Sequence, residues 1–476
     1  MNLYFIIILV LLAVVYSDDD QMVSESTVHG LVEPKELVVV IRNSHDRKSK
    51  AAAQLIKSNL VTESKKIDQE LVHVLMLHEE WADPNAWTIL PILKHLFLTY
   101  NNKAKWIYFC EDITKIDLKG LLKVLERYDE KKDLFLGHAL HDHEASIIHH
   151  FAFHQNPASF KFPDFDAGWA LSIALLERTV KRLEDKPPGM SFSIDVKHEI
   201  AMFFFDNEQG TRLTDVPEFC INKALKEDSC VSTVQYEEPA CGEVNSNDIL
   251  IAVKTCEKFH KDRVPVVQKT VGVHAQNIRY YSDVEDENIP TEYIGVNNTE
   301  SGHCQKLYNI IKRSTEWEKI KWLVVIDDDT IMNFKRLQKL LACYDPNEPI
   351  LLGERYGYGV NYHYYGYSYP TGGGGMVLSH AGVAKLLESD CRCHSVDAPD
   401  DMWLGSCFRS ITPMVHTNSF HQSKPSQYNK EFLSHRYLVS FHKHFYVDPM
   451  QVYRDFLGGE EDEVAKKEKR KIKQEL

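Results

Sequence analysis

Lys321–Tyr356 reads KWLVVIDDDTIMNFKRLQKLLACYDPNEPILLGERY, and Lys105–Leu140 reads KWIYFCEDITKIDLKGLLKVLERYDEKKDLFLGHAL. Placed side by side without a gap, 12 of the 36 positions are identical, which points to duplication rather than chance. Each stretch has an apolar run of strand length, an acidic turn, a helix-length segment and a second apolar run. A strand as apolar as Trp322–Ile326 is predicted to lie inside a parallel sheet with both faces covered. The copies part at the turn. One carries Asp327, Asp328 and Asp329; the other carries Glu111, Asp112 and Ile113.

The likeness runs further along the chain. Leu37–Arg42 (LVVVIR) matches Ile249–Lys254 (ILIAVK), Ala170-Leu-Ser matches Val377-Leu-Ser, and Asp195-Val-Lys-His-Glu199 stands where Asp397-Ala-Pro-Asp-Asp401 stands. A chain of 476 residues exceeds what one core usually holds. The expected organisation is therefore α/β, with a degenerate domain at 35–230, a connector at 231–246 and a working domain at 247–450.

The remaining segments speak to compartment. Leu3–Tyr16 is an unbroken apolar run, short for a membrane span and suited to a signal peptide over residues 1–17. No stable transmembrane anchor is expected. Residues 451–476 form a charged tail ending in Lys473-Gln-Glu-Leu476, which resembles the retention signal read by a receptor of the endoplasmic reticulum. Ten cysteines and a glycosylation sequon at Asn297 suit an oxidising lumen. Cys391-Arg-Cys393 is expected to form disulfides, because one such cluster is too little for a four-ligand zinc site. A net charge of −14 argues against nucleic acid as a partner.

The chemistry concentrates in the second half. Three carboxylates at the carboxyl end of a buried strand repel one another unless a cation sits among them, and oxygen donors suit a hard divalent ion such as Mn²⁺. Such a strand end is also where open α/β sheets bind ligands. Gly372–Gly375 offers bare backbone for close approach to a ligand at Gly373 and Gly374. Asp400 and Asp401 precede a helix-like run; one can cap the helix while the other takes a proton from a hydroxyl. The tyrosines of 356–369 can stack on sugar or pack a long loop, and both readings stay open.

In these motifs the second half resembles the Fringe-type inverting β-1,3-glycosyltransferases. The matching pieces are Val325–Thr330, Tyr369–Ser379, Ala398–Gly405 and Ser419-Phe-His421. Within that family, the duplicated layout, the stretches Phe420–Pro425 and Ser440–His444, and the tail resemble the branch that adds glucose to O-linked fucose. The resemblance implies two tandem GT-A-type, Rossmann-like glycosyltransferase domains, the first degenerate at Ile113 and at Glu199. It implies transfer of glucose from UDP-glucose to O-fucosylated thrombospondin type 1 repeats, by single displacement. Asp329, Asp327 and His421 then hold the ion. Asp327, Asp328, Thr255, Arg263, Gly373 and Gly374 meet the nucleotide sugar, and Asp401 is the base with Asp400 in reserve. Another UDP-sugar (galactose or N-acetylglucosamine) on the same scaffold, or a non-catalytic lumenal lectin or folding adaptor, are the alternatives.

Overall fold

Two apolar strands, Leu37–Arg42 and Ile249–Lys254, each sit between two parallel neighbours in a twisted sheet. The coordinates are a computed structural model that describes residues 30–144, 148–221, 229–234, 238–361, 366–444 and 446–458. The apolar leader at 1–17 and the Lys473-Gln-Glu-Leu476 tail lie outside the described residues.

The first sheet runs Leu213–Asp215, Phe135–Gly137, Trp169–Ser172, Trp106–Glu111, Leu37–Arg42, His73–Met76. The second runs Val415–His416, Leu351–Gly353, Met376–Ser379, Trp322–Asp327, Ile249–Lys254, Asn277–Ser282, and then adds Thr291–Tyr293. The order is the same strand for strand, and so is the register. Leu37 faces Trp106 as Ile249 faces Trp322, and Trp106 faces Ser172 as Trp322 faces Ser379. In each sheet one strand, Trp169–Ser172 or Met376–Ser379, runs against its neighbours. Its terminal serine then caps the next helix: Ser172 accepts from the Leu175 amide, and Ser379 from the Gly382 amide.

The apolar pattern does what it promised. Val38–Ile41, Leu250–Val253 and Val324–Ile326 are fully buried. Each such side chain contributes about 1.5–3 kcal/mol against exposure. Helices on both faces cover them, so the sheet ends are left for chemistry.

A short ribbon stands over each acidic turn. Ile331–Met332 pairs with Ser440–Phe441, and Thr114–Ile116 pairs with Ser232–Val234. The helix Pro449–Val452 and the turn through Leu457 pack on the second ribbon, with Asn333 donating to the Leu457 carbonyl. The halves also touch directly. Phe192–Ser193 of the first adds a strand to the hairpin Arg355–Tyr358/Tyr367–Pro370 of the second, and Trp87 Nε1 donates to Ser368 Oγ at 3.0 Å.

Four disulfides form: Cys220–Cys230, Cys241–Cys343, Cys304–Cys393 and Cys391–Cys407. Cys391 and Cys393 are thus disulfide-bonded, as expected. Cys110 and Cys256 are buried thiols. Among the described residues no helix is long and apolar enough to cross a membrane.

Candidate active site

The strand Trp322–Asp327 delivers its acids to the rim of a cleft of about 660 Å³. Asp327, Asp328, Asp329, Lys254, Thr255, Arg263, His303, Lys306 and His442 are among the residues that line it. The three carboxylates have different partners. Asp328 is buried; its Oδ2 accepts from Thr255 Oγ1 at 2.8 Å and its Oδ1 from Arg263 at 3.0 Å. Burial pushes its pKa up to about 6 in spite of both bonds. Arg263 also reaches Asp329 Oδ2 at 2.9 Å, and its guanidinium lies 3.7 Å from the centre of the Phe259 ring. Asp329 Oδ1 meets His442 Nε2 at 2.8 Å. Burial acts to raise Asp329, but the hydrogen bond and charge of His442 outweigh it and hold the carboxyl below the usual range.

Asp327, Asp329 and His442 each turn a ligand atom inward, all within 4.8 Å of one another. The histidine arrives because Ser440–Phe441 pairs with Ile331–Met332, so the next residue overhangs the acids. Gly373 makes room for it. A Cβ there would lie 2.2 Å from His442 Nδ1. The glycine run is fixed by Thr330 Oγ1 donating to the Gly373 carbonyl at 2.7 Å and by the Gly374 amide donating to Gln422 Oε1 at 3.0 Å.

On the other side stands the helix Asp400–Phe408, with both acids in its first turn, where the helix dipole favours negative charge. Gly405 lets that helix lie on Tyr367–Pro370; a Cβ would meet Tyr369 Cβ at 2.3 Å. Lys254, at the end of its strand, is buried between the two acidic motifs. It lies 3.0 Å from Asp327 Oδ1 and hydrogen-bonds Asp400. Burial alone would raise Asp400, yet the Lys254 charge holds its carboxyl low. Asp401 feels the Lys254 charge more weakly than Asp400, which takes the direct hydrogen bond. Burial and then the Asp400 charge push it up to about 6, and its Oδ1 accepts from the Met402 amide at 2.7 Å. Two adjacent acids thus sit in different electrostatic environments, one held low and one raised.

A Fringe-like family model matches residues 88–220 and 244–462. The chain belongs to the Fringe-like family. It is a glycosyltransferase, and it is 46% identical over 444 residues to proteins named beta-1,3-glucosyltransferase from mouse and human. That match covers 92% of this chain and 90% and 88% of theirs. The beta-1,3-N-acetylglucosaminyltransferase lunatic fringe of Xenopus laevis is 26% identical over 206 residues, covering 38% of this chain and 54% of that protein.

Within this Fringe-like chain three of the residues expected at the ion or the nucleotide sugar stand away from the cleft: Gly373 and Gly374, buried against His442 and Thr371, and His421. His421, expected among the ion's ligands, lies outside the Asp327–Asp329–His442 group. Its ring stacks on Phe441 with centroids 4.6 Å apart and its Nδ1 faces the Ser440 carbonyl at 3.1 Å. Burial drops its pKa to about 3. The tripeptide Ser-Phe-His occurs twice, at 419–421 and 440–442. Only the second is paired with the strand that follows the acids, so the histidine beside them is His442. Lys254 carries little signal in the sequence, because it closes an apolar strand. Its signal was Arg42 at the matching place in the first copy.

Proposed function

We propose that this chain transfers glucose from UDP-glucose, in β-1,3 linkage, to O-linked fucose on thrombospondin type 1 repeats, in the lumen of the endoplasmic reticulum. The 46% identity to beta-1,3-glucosyltransferases supports the sugar and linkage. The four disulfides support an oxidising compartment. The matched sheet orders support two tandem GT-A-type domains with the first degenerate; of the connector expected at 231–246, Ser232–Val234 pairs instead with Thr114–Ile116 of the first domain. The observation that carries the reading is the convergence of Asp327, Asp329 and His442 on the wall of the 660 Å³ cleft.

Two carboxylates and an imidazole fit Mn²⁺, so Asp327, Asp329 and His442 would hold it. Bound there, the ion supplies positive charge to a departing diphosphate. The chain's own residues do the rest. Arg263 and Thr255 fix Asp328, which orders the turn carrying the two ligands. Gly373 leaves room for the His442 ring, and Gly374 is tied to Gln422, so the two glycines position a ligand atom. Lys254 neutralises Asp400 and leaves Asp401 to accept the proton of the acceptor hydroxyl. That oxygen attacks the sugar's anomeric carbon from the side opposite the nucleotide, so the configuration inverts in one step. Tyr367 and Tyr369, whose phenols feel the Asp401 charge, border the acceptor side.

The test is a panel of UDP-glucose, UDP-galactose and UDP-N-acetylglucosamine against fucosylated and unfucosylated repeats. Glucose transfer confined to fucosylated repeats is expected. Transfer of another sugar, or none with any donor, would refute the reading.

A further inference from the structure

Away from the active site, Asp142, His150 and His198 of the first half each offer a ligand atom, all within 4.8 Å of one another. Asp142 Oδ2 lies 2.7 Å from His150 Nδ1, and the two imidazoles stack with centroids 3.8 Å apart. Both rings are sealed from water, at 4% and 2% exposure. Nε2 of His150 is buried without a hydrogen-bond partner, with Asp195 Oδ2 3.5 Å off. Two carboxylates, Asp142 and Asp195, here face one ammonium, that of Lys197, 2.8 Å from Asp195.

The two other clusters of this kind among the described residues differ. Asp164, Asp166 and His435 already enclose a cation, because Arg436 hydrogen-bonds Asp166. Asp327, Asp329 and His442 have two acids and one imidazole and belong to the active site. Two imidazoles with one carboxylate form instead a nitrogen-rich donor set of the kind zinc takes. The location adds to this. His198 sits on the helix Val196–Phe205, at the place that Asp400 holds in the second half, beside Glu199 where the other has Asp401. Glu199 is tied down by the Ser193 hydroxyl and the Ile194 and Asp195 amides.

We propose that Asp142, His150 and His198 form a zinc site, with Asp195 as the adjoining acid. The degenerate half has thus exchanged its proton-accepting corner for a metal staple. The staple pins the segment through His150 to the helix Val196–Phe205, on the wall of the cavity between the halves that Lys197 and Asn429 also line.

The experiment measures zinc in the full chain carrying Asp329→Ala, which disables the active-site cluster. After equilibration with Zn²⁺ and removal of excess, about one zinc per chain is expected, falling to near zero with His150→Gln and His198→Gln added. Co²⁺ in place of zinc should give the visible absorption of an imidazole-bound ion in the first protein. If the triple variant is insoluble, the Co²⁺ spectrum of the Asp329→Ala chain decides alone. Less than about a tenth of a zinc per chain, unchanged zinc in the triple variant, or no Co²⁺ bands would overturn the proposal.

Discussion

The two acidic turns sit at the same place in two sheets of the same order, yet they are chemically unlike. In the second half Asp327 and Asp329 gather with His442. In the first, Glu111 is consumed by Arg42, whose Nε lies 2.6 Å from Oε1. Asp112 accepts from the Ser49 hydroxyl, and burial pushes it up to about 7. Ile113 takes the place of the third acid. The ribbon tells the same story. Lys115 faces Thr233 as Ile331 faces Phe441, so the position of His442 is held by Val234. The first cleft is also smaller, about 220 Å³, and is lined in part by Arg355, His416 and Arg436 of the second half. Only the second strand end gains a further donor from a distant strand and opens on the larger cleft, as the proposed ion site requires.

The sharpest way to break this contrast is to remove the base. Asp401→Asn should lower kcat/KM about 10²–10⁴-fold in a radiolabelled transfer assay, while Glu199→Gln in the first half leaves it within about twofold. Equal losses would mean that both halves act on the acceptor.

A second pair separates the two histidines. His442→Ala should cost more than about 100-fold at limiting Mn²⁺ and recover in part as the ion is raised. His421→Ala should lower thermal stability by removing a packed ring, and leave the Mn²⁺ dependence unchanged. The opposite outcome would restore His421 as the ligand.

Much of this was legible beforehand, for identifiable reasons. Strand ends and the acidic triplet are local: apolar runs such as Trp322–Ile326 and Ile249–Val253 announce burial by themselves. The placing of Asp400 and Asp401 together is also local, since both fall in one helical turn. The choice between His421 and His442 is not. It depends on pairing Ile331–Met332 with a strand more than a hundred residues later, and two identical tripeptides give no preference. Lys254 was hidden because its role appears only when Asp327 and Asp400, far apart in the chain, close around it. The stacking of His150 on His198 is non-local in the same way.

The effect of pH should be milder. Asp401 must be ionised to accept a proton, and its carboxyl is raised to about 6. Activity is therefore full above that value and should fall about tenfold per pH unit below it. A flat kcat/KM profile down to about pH 5 would remove Asp401 from the role. The smallest effect belongs to the relic. Ile113→Asp restores a third acid but not the histidine that Val234 replaces. It should change transfer by no more than about twofold, and a clear gain in Mn²⁺ binding would show that the first half had lost only that one residue.

Counting Mn²⁺ by electron paramagnetic resonance in the presence of UDP tests the account most directly. One UDP-dependent ion per chain is predicted, abolished by Asp329→Ala and untouched by a Glu111→Ala/Asp112→Ala double substitution. An ion that survives Asp329→Ala, or disappears with the first-half change, would contradict it.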